Sequence, residues 1–151
     1  MAFLENSIER PAVVLDIGHA YTKCGFAGDH GPKYIIKSEI YKNGQNINVF
    51  KYMNEDDLKE NLMEFIYRIY YKILNINSRD RKLVIVESVL NQTNVRKILT
   101  DILFKNFQVI SLFFIPSHLA ALYSLGINTA LVIDCGFEDI QIMPISEYYL
   151  M

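Results

Sequence analysis

Two short segments of the chain place a glycine after an acidic residue, and the first of them combines residue types that can bind a phosphate group. In the first, an apolar run ends at Asp16, Gly18 follows in a turn, and Lys23 lies on the strand that leaves the turn. Glycine lets the backbone approach an anion closely, the carboxylate can lie beside a metal ion, and the lysine supplies a positive charge. In the second segment, Asp134 and Gly136 repeat the acidic residue and the glycine. The pattern predicts a turn that can hold phosphate near Asp16 and a similar turn near Asp134.

Strands must position both turns. The segments with strand-like apolar patterns are 12–17, 21–27, 34–36, 47–52, 83–86, 109–115, 129–134 and 140–145. The first two and the last two each enclose one glycine turn, so both pairs predict hairpins. A polar, glycine-bearing loop over 42–46 is expected before the short strand 47–52. The continuous apolar run at 83–86, which is β-branched from Val84 to Val86, is typical of a strand that is buried on both faces.

Three helices are predicted between these strands. The residues that can begin them are Asn54, then Thr93 or Asn91, and finally Ser117. The first helix has an acidic initial turn and an apolar face from Leu58 to Ile73 at helical spacing, which predicts a core-facing helix. A meander followed by alternating strands and helices predicts an α/β fold: a ribonuclease H-like mixed sheet with flanking helices.

Composition and charge narrow the class of protein. The 151 residues include 51% hydrophobic and 21% charged side chains, and the formal net charge is −2. This composition suits a folded domain and excludes wholesale disorder. The lack of a basic block argues against a nucleic-acid partner, and no apolar run reaches the roughly 18 residues of a membrane helix. Cys24 and Cys135 lie in apolar strand patterns, which favours reduced, buried thiols in a cytosolic protein.

Several runs resemble those of one known family. The runs are Lys23-Cys24-Gly25-Phe26-Ala27-Gly28-Asp29, Val86-Glu87-Ser88-Val89-Leu90-Asn91, Ala121-Leu122-Tyr123-Ser124-Leu125-Gly126 and Val132-Ile133-Asp134-Cys135-Gly136. From about Val13 to Ile145 the chain resembles the actins and actin-related proteins. The resemblance implies the first half of the actin-like ATPase fold. Residues 1–130 would form the first domain, with its subdomain 2 region reduced to a short loop at 38–56, and 131–151 would begin a second, truncated domain.

The resemblance also implies which residues once served a nucleotide. The positions that match the two phosphate loops of actin are Asp16, Gly18, Lys23, Asp134 and Gly136. They are expected to be vestigial cofactor-binding positions, and neither a catalytic nor a metal-binding residue is assigned.

Other loop positions depart from the actin pattern. The departing residues are His19, Ala20, Ser117, Phe137, Glu138 and Gln141. His19 and Ala20 stand where actin has a serine and a glycine, so they crowd the first loop. Glu138 brings negative charge near the position of the phosphates, and like charges repel. We therefore expect no enzymatic activity and no cofactor in this chain, with ATP and magnesium possible only in a full-length form.

The resemblance is strongest to actin-related proteins at the pointed end of the dynactin minifilament. It implies a pointed-end cap that supports dynein-driven transport along microtubules, located in the cytoplasm and cytoskeleton. The expected partners are actin-like filament subunits and other pointed-end dynactin subunits, with no nucleic acid and no membrane. The short 38–56 segment agrees, because it lacks the part of actin that grips the next subunit.

Two enzymatic functions remain as alternative interpretations of the sequence. One is a nucleotide-binding actin-like ATPase that retains Asp16 and Lys23. The other is a ribonuclease H-like, metal-dependent nuclease in which Asp16 acts with Glu60, Glu64 or Glu87, because such sites need several converging carboxylates. The tyrosines Tyr67, Tyr70 and Tyr71 could be contacts, although packing in the core or in a crevice is the preferred interpretation.

Overall fold

The computed structural model describes residues 10–88 and 93–150. The strands are β1 (Val13–Ile17), β2 (Tyr21–Phe26), β3 (Tyr34–Lys37), β4 (Glu39–Lys42), β5 (Gln45–Asn48), β6 (Lys82–Glu87), β7 (Ser111–Pro116), β8 (Ala130–Cys135), β9 (Ile140–Ser146) and β10 (Tyr149–Leu150). The α-helices are α1 (Glu55–Tyr67), α2 (Thr93–Lys105) and α3 (Ser117–Leu125). Asn91, the alternative start of α2, lies outside the described residues. Val89 and Leu90, which belong to the actin-like run 86–91, also lie outside them.

A five-stranded sheet forms the centre of the fold, in the order β3-β2-β1-β6-β7. The strands β3, β2 and β1 pair antiparallel, whereas β1, β6 and β7 run parallel. A parallel pair needs a long crossover connection, and α1 and α2 lie in the connections between these strands. The predicted α/β class, a mixed sheet with flanking helices, is therefore confirmed.

The main core lies between one face of this sheet and the helices α1 and α2. Leu15 and Leu83 of the sheet and Leu62 and Ile102 of the helices are buried in one cluster. On the other sheet face, Val84 is only partly buried, so β6 is less enclosed than its continuous apolar run predicts.

The first helix begins where the sequence places it. Asn54 has extended backbone angles, and its Oδ1 accepts a hydrogen bond of 2.8 Å from the N–H of Asp57. This cap satisfies one of the N–H groups that a helix leaves unpaired at its start. The apolar face continues beyond Tyr67, but residues Arg68–Ile73 form a π-helix rather than more α-helix. The wider turn lets the consecutive residues Ile69 and Tyr70 both reach the core.

The 38–56 segment contains a hairpin that the sequence analysis missed. Strands β4 and β5 pair across a tight turn in which Asn43 and Gly44 both have positive φ, at 54° and 80°. Such turns suit the twist of a two-stranded hairpin. The predicted loop at 42–46 is thus reduced to this turn, and the strand predicted at 47–52 ends at Asn48. It ends there because the Asn48 Oδ1 accepts the N–H of Phe50 at 2.8 Å, which turns the backbone.

The last part of the described chain forms a separate three-stranded sheet, in the order β10-β9-β8. Helix α3 precedes it and ends at Gly126, whose left-handed backbone (φ 67°) suits glycine. Cys135, at the end of β8, is exposed rather than buried, so the prediction of two buried thiols is right only for Cys24. Within the ranges given above, no helix has the length and apolar character required to cross a membrane.

Candidate functional site

The first turn (residues 18–20) joins β1 to β2 and carries the predicted acidic and basic residues side by side. Asp16 lies opposite Lys23 in the antiparallel register. The Lys23 Nζ donates to the Asp16 Oδ2 at 2.9 Å. Both side chains are at the surface, so the pair is open to solvent. The structure therefore brings together two of the predicted site residues, and each compensates the charge of the other.

Gly18 is required by close backbone contact in this turn. Its N–H donates to the carbonyl oxygen of Tyr21 at 3.2 Å. A Cβ at position 18 would lie 2.8 Å from the same oxygen, closer than real Cβ contacts allow. The glycine is thus explained by the turn itself, and its N–H is already paired.

Polar groups beneath the turn, of which Ser38 and Thr22 are buried, hold it in place. The Ser38 hydroxyl donates to the carbonyl oxygen of Gly18 at 2.6 Å and lies 2.8 Å from the buried Thr22 hydroxyl. The Asn48 amide donates to the carbonyl oxygen of His19 at 2.7 Å. The β4–β5 hairpin region therefore braces the first turn through its side chains.

The second turn (residues 136–139) joins β8 to β9, and oxygen atoms of Asp139 in the turn accept its hydrogen bonds. The N–H of Gly136 donates to the carbonyl oxygen of Asp139 at 2.9 Å. The Asp139 carboxylate accepts from the Gln141 amide at 2.7 Å, and Gln141 also contacts the Ser88 hydroxyl. Gln141 is buried, so this bond ties β9 to the end of β6.

A side-chain contact joins the two turns. The His19 Nε2 lies 3.2 Å from the Glu138 Oε2, and the His19 ring packs on Phe50 with centroids 4.6 Å apart. The two turns and the segment after β5 enclose a cleft of about 650 Å³. Lys51 and Asp139 also line this cleft. The cleft therefore contains side chains of both charges, and Glu138 lies between the two turns.

Asp134 contacts different residues from those of the Asp16–Lys23 pair. Its Oδ2 is 3.5 Å from the Ser117 hydroxyl at the start of α3, which is a long and weak hydrogen bond. The next residue, His118, is buried, as a packing residue would be. Burial lowers the pKa of the His118 imidazole, and the negative charge of Asp134 partly opposes this effect.

The carboxylates of the nuclease alternative do not converge. Glu87 pairs with Arg96 at 3.1 Å, and Glu60 pairs with Lys42 at 3.2 Å. Among the described residues, no group of three His, Cys, Asp or Glu side chains is arranged to hold a metal ion.

Sequence reasoning missed the residues that support the first turn. Ser38 begins the segment expected to be a short loop, and Asn48 and Phe50 lie in the strand predicted over 47–52. The pattern does not say what these residues contact, and only the pairing of β4 with β5 brings them to the turn. His19 and Glu138 each depart from the actin pattern, but their direct contact could not be predicted, because the two residues are far apart in the sequence.

Comparison with known proteins agrees with this fold. The family model described as Actin matches residues 7–151. The chain therefore belongs to the actin family, and the resemblance inferred from its motifs is confirmed.

The chain is similar to several curated members of this family. It is 29% identical to actin-related protein 10 of Dictyostelium discoideum, over 91% of this chain and 34% of the relative. It is 25% identical to actin-like protein 7B of Rattus norvegicus, over 90% and 39% respectively, and 29% identical to actin-related protein 4 of Candida albicans, over 89% and 32%. The chain thus spans about a third of the length of the relatives it matches.

Proposed function

We propose that this chain is a non-catalytic actin-related subunit that caps the pointed end of the actin-like minifilament of dynactin. In that role it supports dynein-driven transport along microtubules. Its partners are actin-like filament subunits and the other pointed-end subunits, and its place is the cytoplasmic cytoskeleton. The observation that carries the non-catalytic part is the His19–Glu138 contact of 3.2 Å between the two turns.

The backbone N–H groups and the cation that a phosphate would need are already paired within the two turns. A phosphate site needs unpaired backbone N–H groups and an available cation. Here the N–H groups of Gly18 and Gly136 donate to carbonyl oxygens, and Lys23 pairs with Asp16. Glu138 adds a carboxylate between the turns, which repels a phosphate. Although Asp16, Lys23 and Asp134 are suitable residue types for a magnesium-bridged nucleotide, their surroundings fit one poorly.

The short segment after β3 supports the capping role. The hairpin folds back on its own domain: Asn48 bonds to the first turn, and Lys42 reaches Asn61 and Glu60 of α1. Growth of a filament needs two different complementary faces on each subunit. A subunit whose hairpin is engaged internally can join a filament by one face and leave the other without an acceptor. Similarity to a protein named actin-related protein 10 favours this class among actin-related subunits.

The capping role is tested by growth of isolated filaments. Filaments of the dynactin actin-like subunit are grown with their barbed ends blocked, and pointed-end elongation is followed by fluorescence. We expect the chain to slow elongation at pointed ends and to leave barbed-end growth unchanged. Equal growth with and without the chain would contradict capping. A version extended by the region present in its longer relatives serves as the matched control, because it separates a wrong role from a missing surface.

A retained nucleotide-binding ATPase is the second candidate, favoured by the survival of Asp16, Lys23 and Asp134. A ligand at a hundred times its Kd stabilises the folded state by about 2.7 kcal/mol, which raises the melting temperature. We expect no such rise with magnesium and ATP. A rise that disappears in Asp16→Asn, and not in the control Asp101→Asn at an exposed position on α2, would instead establish a nucleotide site.

A further inference from the structure

A second surface of the molecule is a groove between α1 and the end of α2. It has a volume of about 600 Å³ and is lined by Glu60, Met63, Glu64, Tyr67, Tyr71 and Phe107, together with Asn106. None of these residues lines the cleft between the two turns. We call it the aromatic–acidic groove. The proposed capping function leaves it unexplained.

The aromatic side of the groove is held rigidly. The rings of Tyr67 and Tyr71 lie 4.9 Å apart, and Tyr71 stacks on the buried Phe107 at 6.3 Å. The Tyr71 hydroxyl bonds the Ser78 hydroxyl at 3.0 Å, and Ser78 donates to the carbonyl oxygen of Phe107. Tyr71 is thus fixed at both ends, while Tyr67 remains 50% exposed. A ligand would meet aromatic faces that lose little freedom on binding.

The acidic side of the groove carries two carboxylates, and only part of their charge is compensated. Glu60 and Glu64 are one helical turn apart on α1, so they lie on the same face. Among the described residues, Glu64 has no side-chain partner. Glu60 pairs with Lys42, yet its side chain remains 70% exposed. Two neighbouring carboxylates of this kind favour a positively charged ligand.

Two cations near the groove, Arg68 and Lys105, are engaged elsewhere, whereas Lys42 contacts its edge at Glu60. Arg68 Nη1 donates to the carbonyl oxygen of Glu39 at 3.0 Å, on the side of β4. Lys105 pairs with Asp101 at 3.0 Å along α2. The groove therefore joins exposed tyrosine faces to carboxylates and lacks a basic lining residue.

We propose that the aromatic–acidic groove binds a basic, arginine-bearing segment of a partner protein. A guanidinium group stacks on tyrosine faces and pairs with a carboxylate through its planar set of donors. The compact lysine ammonium forms the ion pair but stacks less well. Met63 and Phe107 would contact the aliphatic part of the arginine side chain, since this stem packs on apolar surface.

The test uses the full chain and a short fluorescein-labelled peptide that alternates arginine with alanine. Binding is followed by fluorescence anisotropy, together with a lysine-for-arginine peptide. We expect saturable binding of the arginine peptide, weaker binding of the lysine peptide, and a loss of affinity of about tenfold or more in Glu64→Gln/Tyr67→Ala. The matched control is Asp29→Asn/Tyr21→Ala, which removes the same groups at exposed positions outside the groove and should bind like the wild type.

Each other outcome counts against the proposal. Equal affinity for both peptides would overturn the selection of arginine, and equal losses in both double variants would overturn the location. Concentration-dependent dimers in sedimentation that disappear in Glu64→Gln/Tyr67→Ala would assign the groove to a second copy of the chain. Circular dichroism of each variant shows whether it is folded, and Tyr67→Phe keeps the ring as a second test of stacking. The result can be separated from capping, because Glu64 and Tyr67 take no part in the hairpin contacts from which capping is argued.

Discussion

The two hairpins of this chain have the same local plan and different surroundings. In each, an acidic residue ends an apolar strand, a glycine follows, and the returning strand places a polar residue opposite the acid: Lys23 opposite Asp16, and Gln141 opposite Asp134. In the first hairpin the apolar strand residues are buried in the main core. In the second, Ile133 and Ile142 are 58% and 59% exposed. The local sequence is enough to form each turn, whereas the elements packed around the hairpin determine how stable that turn is.

The cause of this difference is the place of each strand in its sheet. Strand β1 lies between β2 and β6, with helices packed on one face. In the part of the chain that the structure describes, strand β8 lies at the edge of its own sheet, where it pairs with β9. The support of the second turn is therefore limited to a few contacts, chiefly the bonds of Gln141 with Ser88 and Asp139.

The two cysteines should show the largest contrast, because one lies in each hairpin. Burial raises the pKa of the Cys24 thiol, so it resists forming the reactive thiolate, whereas Cys135 is exposed. In native protein near pH 8 we expect iodoacetamide to modify Cys135 rapidly and Cys24 only after denaturant is added. Mass spectrometry of the labelled peptides measures both. Equal native rates would mean that the first hairpin opens as readily as the second.

Truncation of one apolar residue in each hairpin should separate their stabilities. Leu15→Ala removes a fully buried side chain and should lower the free energy of unfolding by about 2–5 kcal/mol. Ile133→Ala removes an exposed one and should change it by roughly 0.5 kcal/mol or less. Urea unfolding followed by circular dichroism measures both variants. A large loss for Ile133→Ala would show that the second hairpin contributes to the cooperative core.

Adding a methyl group at each turn glycine should cost more in the first turn. In Gly18→Ala the Cβ would meet a backbone oxygen at 2.8 Å, so the backbone must shift, at a cost of about 1–3 kcal/mol. In Gly136→Ala the nearest atoms are two Asp139 oxygens at 3.1 Å. One of them belongs to a movable side chain, and the turn is exposed, so we expect a smaller loss. The same urea titration compares the pair, and the reverse order would contradict this account.

The His19–Glu138 contact between the turns should give the smallest effect. Both His19 and Glu138 are well exposed, and exposed pairs contribute about 0.2–1 kcal/mol. A double-mutant cycle of His19→Ala and Glu138→Gln should give a coupling energy in this range, decreasing near 1 M salt where charges are screened within about 3 Å. A coupling well above this range would mean that the two turns form one rigid unit.

Much of the fold could be predicted because its signals are local. Four features depend on residues that are close together in sequence. They are the cap at Asn54, the apolar face of α1, the glycine at the end of α3 and the paired strands around each glycine turn. The family resemblance, inferred from such motifs, is confirmed by the match of the actin family model to residues 7–151. The roles of Asp16, Gly18, Lys23, Asp134 and Gly136 as vestigial phosphate positions stay a prediction.

The remaining features depend on contacts between distant segments. The bond from Asn48 to the first turn and the His19–Glu138 pair exist only once separate hairpins meet, and no periodicity marks them. The π-helix after α1 likewise follows from packing, because the apolar pattern through Ile73 fits an α-helix equally well. The exposure of Cys135 reflects the edge position of β8 rather than its residue types.

The central sheet also has a consequence for how the chain is made. Val13 of β1 pairs in parallel with Leu83 of β6, which follows many residues later. A ribosome adding about 5–20 residues per second needs on the order of several seconds to supply that partner. During this time β1 and β2 can already form their hairpin, while the β-branched edge of β1 remains open to unwanted pairing. Nascent chains of this protein should therefore depend on chaperones until β6 emerges, and less so afterwards.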